Sequence, residues 1–198
     1  MAAALRPGPT ARTPFQPEVV SAVSLGTELD PAVGLLVLAG VESLSPSAWN
    51  RVLDFVRGGG GLVIVHAANN AFPQWSEWNK MIGLGWRDNK FGNRVTVNDE
   101  GKVVITPKGS GPGASHGPQH EFSIVTRDSS HPVVKGLPRE WMHAKDELYH
   151  GQRGPAQQMT VIATAYSSSK KGGSGTNEPM VWWIPYGRGK VFTTVMGH

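Results

Sequence analysis

The sequence contains no cysteine. This excludes a disulfide scaffold, a Cys-ligated zinc or iron–sulfur site, and a cysteine nucleophile. It leaves the compartment open, because a cysteine-free chain persists in either redox environment. Charge is also scarce. Asp, Glu, Lys and Arg make up 17% of the 198 residues, against about a quarter in an average domain. A coiled coil, an acidic tail and charge-rich disorder are thereby disfavoured. The 19 basic and 15 acidic residues leave a net charge of +4, and no basic cluster exceeds Lys170-Lys171. A nucleic-acid footprint is therefore missing. No apolar run approaches the roughly 20 residues that cross a membrane. A Gly-rich phosphate loop is also lacking, since the glycines at 58–61 precede an apolar strand instead of following one. There is no GxSxG nucleophile elbow.

Glycine, tryptophan and histidine are what the chain has in quantity, at 25, 7 and 7 residues. The length suits one domain. Residues 1–17 carry Pro at 7, 9, 14 and 17 and lack the apolar core of a secretory signal. They are expected to form a tail, and residues 18–198 a single domain cut short at both ends. Both a cytoplasmic and an exported location stay open.

Apolar patterning predicts strands at Val19–Leu25, Gly34–Ala39 and Leu62–Val65. Between the last two, Ser45 caps a helix that carries Pro46 at its first position and Trp49, Val52, Leu53 and Val56 on one face. Strand, helix and strand in that order predict a βαβ unit and a parallel sheet. A second helix is expected over Gln74–Trp86. Further strands are expected at Val95–Val97, Val103–Ile105, Glu121–Thr126, Met159–Tyr166, Met180–Ile184 and Lys190–Met196. The last two should form a hairpin around Tyr186–Gly189.

In parallel α/β sheets, ligands sit beyond the carboxyl ends of the strands. His66 and Asn69 follow one apolar strand, and His198 follows another. The segment Trp141–Gly151 packs two His, Asp146, Glu147 and Tyr149 into a short span. A glycine- and proline-rich loop carries His116 and His120. Histidine exchanges protons near neutral pH, and a neighbouring carboxylate orients it. The same groups suit zinc, manganese or iron, although no HExxH-type spacing is present. Each feature also has a structural reading: a hydrogen-bonded His at a strand end, a charged edge strand, a solvated loop. The tryptophans, Trp78 among them, are candidates to stack on a sugar ring, but such residues also fill cores.

Several segments together resemble one family. GGGGLVIVHAANNAFPQW, HGPQHEF, TRDSSHPVVKGLP, W-x-H-x-x-DELY with RGPA following, EPMVWW and YGRGKVFTTVMGH occur in the order found in ThuA-like (trehalose utilisation) proteins. The resemblance spans about residues 34–198. It implies a flavodoxin-like, three-layer α/β fold of the class I glutamine amidotransferase-like superfamily, with a mostly parallel central sheet. It also implies a bacterial role with disaccharides such as trehalose and sucrose and their 3-keto derivatives. Amidotransferase chemistry itself is excluded by the missing cysteine. The family's first strand has no match in residues 1–17, and its helix after the final Gly-His is absent.

The expected site places His66, Glu147 and His198 together as acid–base groups, with a divalent metal on the same three as an option. Asn69, Trp78, His116, His120, Asp146 and Tyr149 would line it. The expected partner is a small sugar, with homo-oligomerisation open and no nucleic acid or membrane. The alternative is a non-catalytic sugar-binding module on the same fold.

Overall fold

The computed structural model describes residues 15–27 and 29–198. The tail expected at residues 1–17 falls mostly outside this range. The sheet begins with β1 (Leu35–Ala39), followed by α1 (Pro46–Arg57) and β2 (Gly61–Val65). Ser45 caps α1 as its sequence predicts, its Oγ accepting the Ala48 amide at 3.2 Å. The buried face of α1 carries Ala48, Trp49, Val52, Leu53 and Val56. β1 and β2 pair in parallel, completing the βαβ unit.

A 3-10 turn, His66–Asn70, leads to a short helix, α2 (Ser76–Ile82). The helix expected to reach Trp86 ends four residues earlier. Gly83 stops it at φ +72°, a left-handed conformation that costs a glycine nothing.

From there the chain is β-rich: β3 (Arg94–Val97), β4 (Val103–Thr106), β5 (Ser115–His116), β6 (His120–Thr126), β7 (Glu140–Asp146), β8 (Tyr149–His150), β9 (Thr160–Ser167), β10 (Thr176–Tyr186) and β11 (Gly189–Thr194). The main sheet runs β1-β2-β11-β10-β9-β6-β7, with β3 and β4 extending from β10. β5 and β8 form a small separate pair.

This is an α/β fold, but the sheet is mixed and not mostly parallel. Only β1, β2 and β11 run parallel to one another, and the remaining ladders of the main sheet are antiparallel. A parallel pairing needs a long crossover, normally a helix. After α2 the described residues contain no further α-helix; β3–β4 and β10–β11 are joined by short turns, and β6–β7 and β9–β10 by longer loops. β10 and β11 do form the expected hairpin. The three-layer expectation meets the same limit, because α1 and α2 contribute to a single core with Leu38, Leu62, Ile64 and Val191. A second core lies under the antiparallel strands, around Phe122, Ile124, Ile162, Met180 and Trp182.

The strand expected at Val19–Leu25 is a turn with a short 3-10 segment, Ser24–Gly26. Only Leu25 of it is buried there, against α1. Among the described residues no strand lies beside it to take its backbone groups, so that apolar run has no ladder to join.

Candidate active site

β2 is apolar up to Val65 because it lies between β1 and β11 in the sheet. Its carboxyl end delivers His66, and the chain turns there at φ +46°. Phe72 closes the same turn at φ +52°. Left-handed backbone at two non-glycine residues is costly and persists only when the surroundings hold it. Arg87 supplies much of that hold. Its buried guanidinium donates to the carbonyls of Asn70 at 2.8 Å and Ala71 at 2.7 Å. With no carboxylate partner among the described residues, burial lowers its pKa to about 10, so it stays cationic at neutral pH.

Asp146 and Glu147 sit where β7 ends and divide the work. Asp146 is buried, and its two oxygens accept four N–H groups: Glu147 at 2.7 Å, Gly197 at 2.8 Å, His143 Nε2 at 2.8 Å and His198 at 3.2 Å. Burial pushes its pKa up, but these donors outweigh burial and hold it below the usual carboxylate value. It ties residues 197–198 to the end of β7.

Glu147 points into the space this creates. Three imidazoles surround it. His66 Nε2 and His198 Nδ1 lie 3.7 and 3.5 Å from its Oε2, and His116 Nε2 lies 3.7 Å from its Oε1. His116 comes from β5, which is paired to β8 through His116 and Tyr149. The Tyr149 ring is 4.8 Å from the His66 ring and 4.7 Å from Trp86. Burial raises the Tyr149 pKa, so its hydroxyl keeps its proton.

His66 is the buried imidazole of the three. Burial lowers its pKa further than the nearby Asp146 and Glu147 carboxylates raise it. It is therefore neutral at pH 7. Its Nε2 is enclosed and has no hydrogen-bond partner among the described residues. A neutral imidazole with a free ring nitrogen can accept a proton or ligate a metal. One donor atom each from His66, Glu147 and His198 lie within 4.8 Å of one another.

The structure thus brings together His66, Glu147, His198, His116, Tyr149 and Asp146. Asn69 is fully buried in the same turn, its amide donating to Gln152 Oε1 at 2.7 Å. It supports the turn from behind. His120 is not among the rings on Glu147. Its Nδ1 is 2.8 Å from the Pro118 carbonyl and its ring lies against Phe122. Trp78 is fully buried, edge-on to Trp49 and Phe72 in the α1/α2 core, so it offers a ligand no surface. Trp86 is the tryptophan beside the site. Spacing alone does not separate the two, but Trp86 lies past the glycine that ends α2, where the helical face no longer applies.

Two further residues were not legible as site residues. Gln152 holds Asn69. Arg153 is fully buried and donates to the carbonyls of Ser110 and Pro112, fixing the glycine- and proline-rich loop that leads to His116.

Comparison with known proteins shows what the chain as a whole is similar to. A ThuA-like protein from Parabacteroides merdae shares 45% identity and superposes with a TM-score of 0.77 over 83% of this chain. A second from Bacteroides uniformis, 17% identical with a TM-score of 0.54, shares the fold. The chain spans 60% of the length of each. A comparison with curated proteins found no match. The family model described as ThuA, trehalose utilisation, matches residues 18–198. The chain belongs to the ThuA family.

Proposed function

We propose that this chain acts on a disaccharide or its 3-keto derivative by acid–base chemistry at His66, Glu147 and His198. The observation that supports it is the convergence of three imidazoles on the Glu147 carboxylate, one of them buried with a free nitrogen. The family's description supplies the sugar.

A 3-keto group makes the adjacent C–H acidic. His66 Nε2, neutral and unpartnered, is the base that removes that proton. The resulting imidazolium faces Glu147, whose charge stabilises it. His198 is the more exposed imidazole and exchanges protons with solvent or returns one to the product. Tyr149 keeps its proton and offers a hydroxyl, and Trp86 an apolar face. Such a set serves isomerisation, elimination or hydrolysis.

A divalent cation fits the same donors. The orphaned His66 Nε2, with Glu147 and a second imidazole, makes a His₂-carboxylate set of the kind that binds zinc, manganese or iron. Bound there, it would polarise a keto oxygen as a Lewis acid.

The test is NMR in D₂O with 3-keto-trehalose or 3-keto-glucose, with and without Mn²⁺ or Zn²⁺, and with His66→Ala/His198→Ala as control. Loss of the α-proton signal, or a new sugar, with wild type alone is expected. A folded wild type that exchanges no proton under any condition refutes the enzymatic reading. A non-catalytic sugar-binding module then remains, in which His66→Ala changes affinity only.

A further inference from the structure

Among the described residues the main sheet has free edges at β1, β4 and β7. The central residues of β1 are half-buried or buried. β7 carries Glu140, Lys145 and Asp146, and a register shift interrupts its ladder with β6. Charges and irregularities of this kind keep natural edges from pairing. β4 has neither. Val103, Val104 and Ile105 follow one another along it and are 53, 43 and 59% exposed, so it is apolar on both faces. β3 pairs with one side of it, and the other side has no strand among the described residues.

We propose that two copies of this chain join through β4, antiparallel about a two-fold axis at Val104, so that the sheet continues from one molecule into the next.

The hydrogen-bond pattern sets which groups are available. The Asn98 amide donates to the Lys102 carbonyl at 2.9 Å. Hydrogen-bonded and non-hydrogen-bonded pairs alternate along an antiparallel ladder. Thr96–Val104 and Arg94–Thr106 are therefore the bonded pairs of β3 and β4. The N–H and C=O groups of Val103 and Ile105 point the other way, to the free side. Pro107 has no N–H to continue the row. With Val103 of each copy opposite Ile105 of the other, these groups satisfy one another, and Val104 faces itself at the axis.

Two features make a second copy the occupant. The first is apolar surface. Val103 and Ile105 stand opposite Val97 and Val95, which belong to the core under the antiparallel strands. Cross-strand partners share a face, so that core face runs out onto β4 and ends uncovered. In the two-fold register Val103 and Ile105 of one molecule lie beside Ile105 and Val103 of the other and cover it. The second feature is charge. Val104 stands midway between the exposed Glu100 and Lys108. The same register sets Glu100 of each copy opposite Lys108 of the other, and Lys102 opposite the uncharged Thr106. Moving the axis to Ile105 sets Lys102 against Lys108. Moving it to Val103 sets Ile105 against Gly101, in the turn at φ +81°. The segment is thus its own antiparallel complement, as an isologous contact requires. β4 runs on into the loop that Arg153 fixes and that leads to His116, so the contact lies at the base of that loop.

A strand-to-strand contact is small, so the dimer should dissociate with a Kd on the order of 10–100 µM. Sedimentation equilibrium across that range should show the mass rising from 21.2 kDa to twice that value. Val104→Glu sets two carboxylates face to face and should weaken the dimer about tenfold. Glu100→Lys and Lys108→Glu should each weaken it, and the two together should restore it. All these side chains are exposed, so the variants fold, and circular dichroism checks that they do.

Because the chain has no cysteine, single-cysteine variants read the register. Val104→Cys places two thiols across a non-bonded pair, with Cα atoms about 4.5 Å apart, and should form a disulfide dimer on mild oxidation. In Val103→Cys and Ile105→Cys the thiols stand about 9 Å apart at the Cα atoms and should not. Cross-linking at 103 or 105 instead of 104 overturns the register and the charge argument with it. A dimer that Val104→Glu leaves intact lies on another surface and overturns the proposal. So does a monomer at every concentration. If that monomer protects the Val103 and Ile105 amides from hydrogen exchange, a segment of the same chain covers β4 in place of a second copy.

Discussion

Replacing Asp146 with Asn should detach His198 from the site. The carboxylate accepts four N–H groups, two on each oxygen. An amide retains one accepting oxygen and turns an NH₂ group towards two donors. Hydrogen bonds to a charged group contribute about 1.5–3 kcal/mol each. Two such losses total about 3–6 kcal/mol if nothing moves. Residues 197–198 are exposed and can peel away. Water then satisfies the freed amides, and the net loss falls to about 2–4 kcal/mol. For a chain of this size each kcal/mol shifts Tm by about 2–4 °C, so a fall of roughly 4–16 °C is expected. The local effect is sharper. His198 Nδ1 leaves its position 3.5 Å from Glu147, and its imidazole resonance should move to that of a free histidine. Calorimetry gives the first quantity, and the His198 imidazole chemical shift at fixed pH gives the second. A Tm within about 1 °C of wild type with an unchanged His198 imidazole chemical shift would refute the reasoning.

Other perturbations have expected outcomes. Glu77 joins Arg57 at 2.9 Å and Lys80 at 2.6 Å and accepts from the Tyr186 hydroxyl, and the Lys80 and Tyr186 hydrogen bonds lower its pKa from 4.5 to about 2. Its contribution is present above pH 4.5 and is lost as pH falls towards 2. Glu77→Gln should cost about 1 kcal/mol at neutral pH and flatten acid unfolding in that window, as urea midpoints against pH would record. Burial and the Glu77 hydrogen bond raise the Tyr186 pKa from 10 to about 12, so its contribution is lost as pH rises across that interval, and Tyr186→Phe should remove the alkaline slope. Trp182 is fully buried and donates to the Ile82 carbonyl at 2.7 Å. Trp182→Phe leaves that carbonyl with the Leu84 amide alone, at 2.9 Å, and opens a void beside it, so it should cost about 2 kcal/mol by denaturant titration. A Cβ on Gly154 would lie 2.0 Å from the Gly83 backbone oxygen. Gly154→Ala should therefore cost more than about 3 kcal/mol or abolish soluble yield.

How much of this was legible in the sequence follows from what local pattern encodes. The capped helix α1, the apolar β2 and the β10–β11 hairpin are written in residues that touch within their own segments. Strand direction is not. β10 is apolar because it lies between β9 and β11, and an antiparallel interior strand reads like a parallel one. The expected mostly parallel sheet failed on that ambiguity. At the site, the position of His66 after an apolar strand is a local signal, and so is the DELY segment. The approach of His116 is not, since it depends on the two-residue pairing of β5 with β8. Nor are the supporting roles of Arg87, Gln152 and Arg153, whose partners are backbone carbonyls and a buried amide distant in sequence.

The position of β11 has a consequence for the order of assembly. It inserts between β2 and β10, so Gly61 finds its partner Lys190 only after nearly all of the intervening chain has been made. When β1 and β2 leave the ribosome, one edge of β2 is open and His66 has no carboxylate to meet. Such distant pairings slow folding and leave an unpaired apolar edge exposed meanwhile. The same late hairpin that joins β2 to β10 leads to His198 beside Glu147, so the sheet becomes continuous only when the last of the proton-transfer groups arrives.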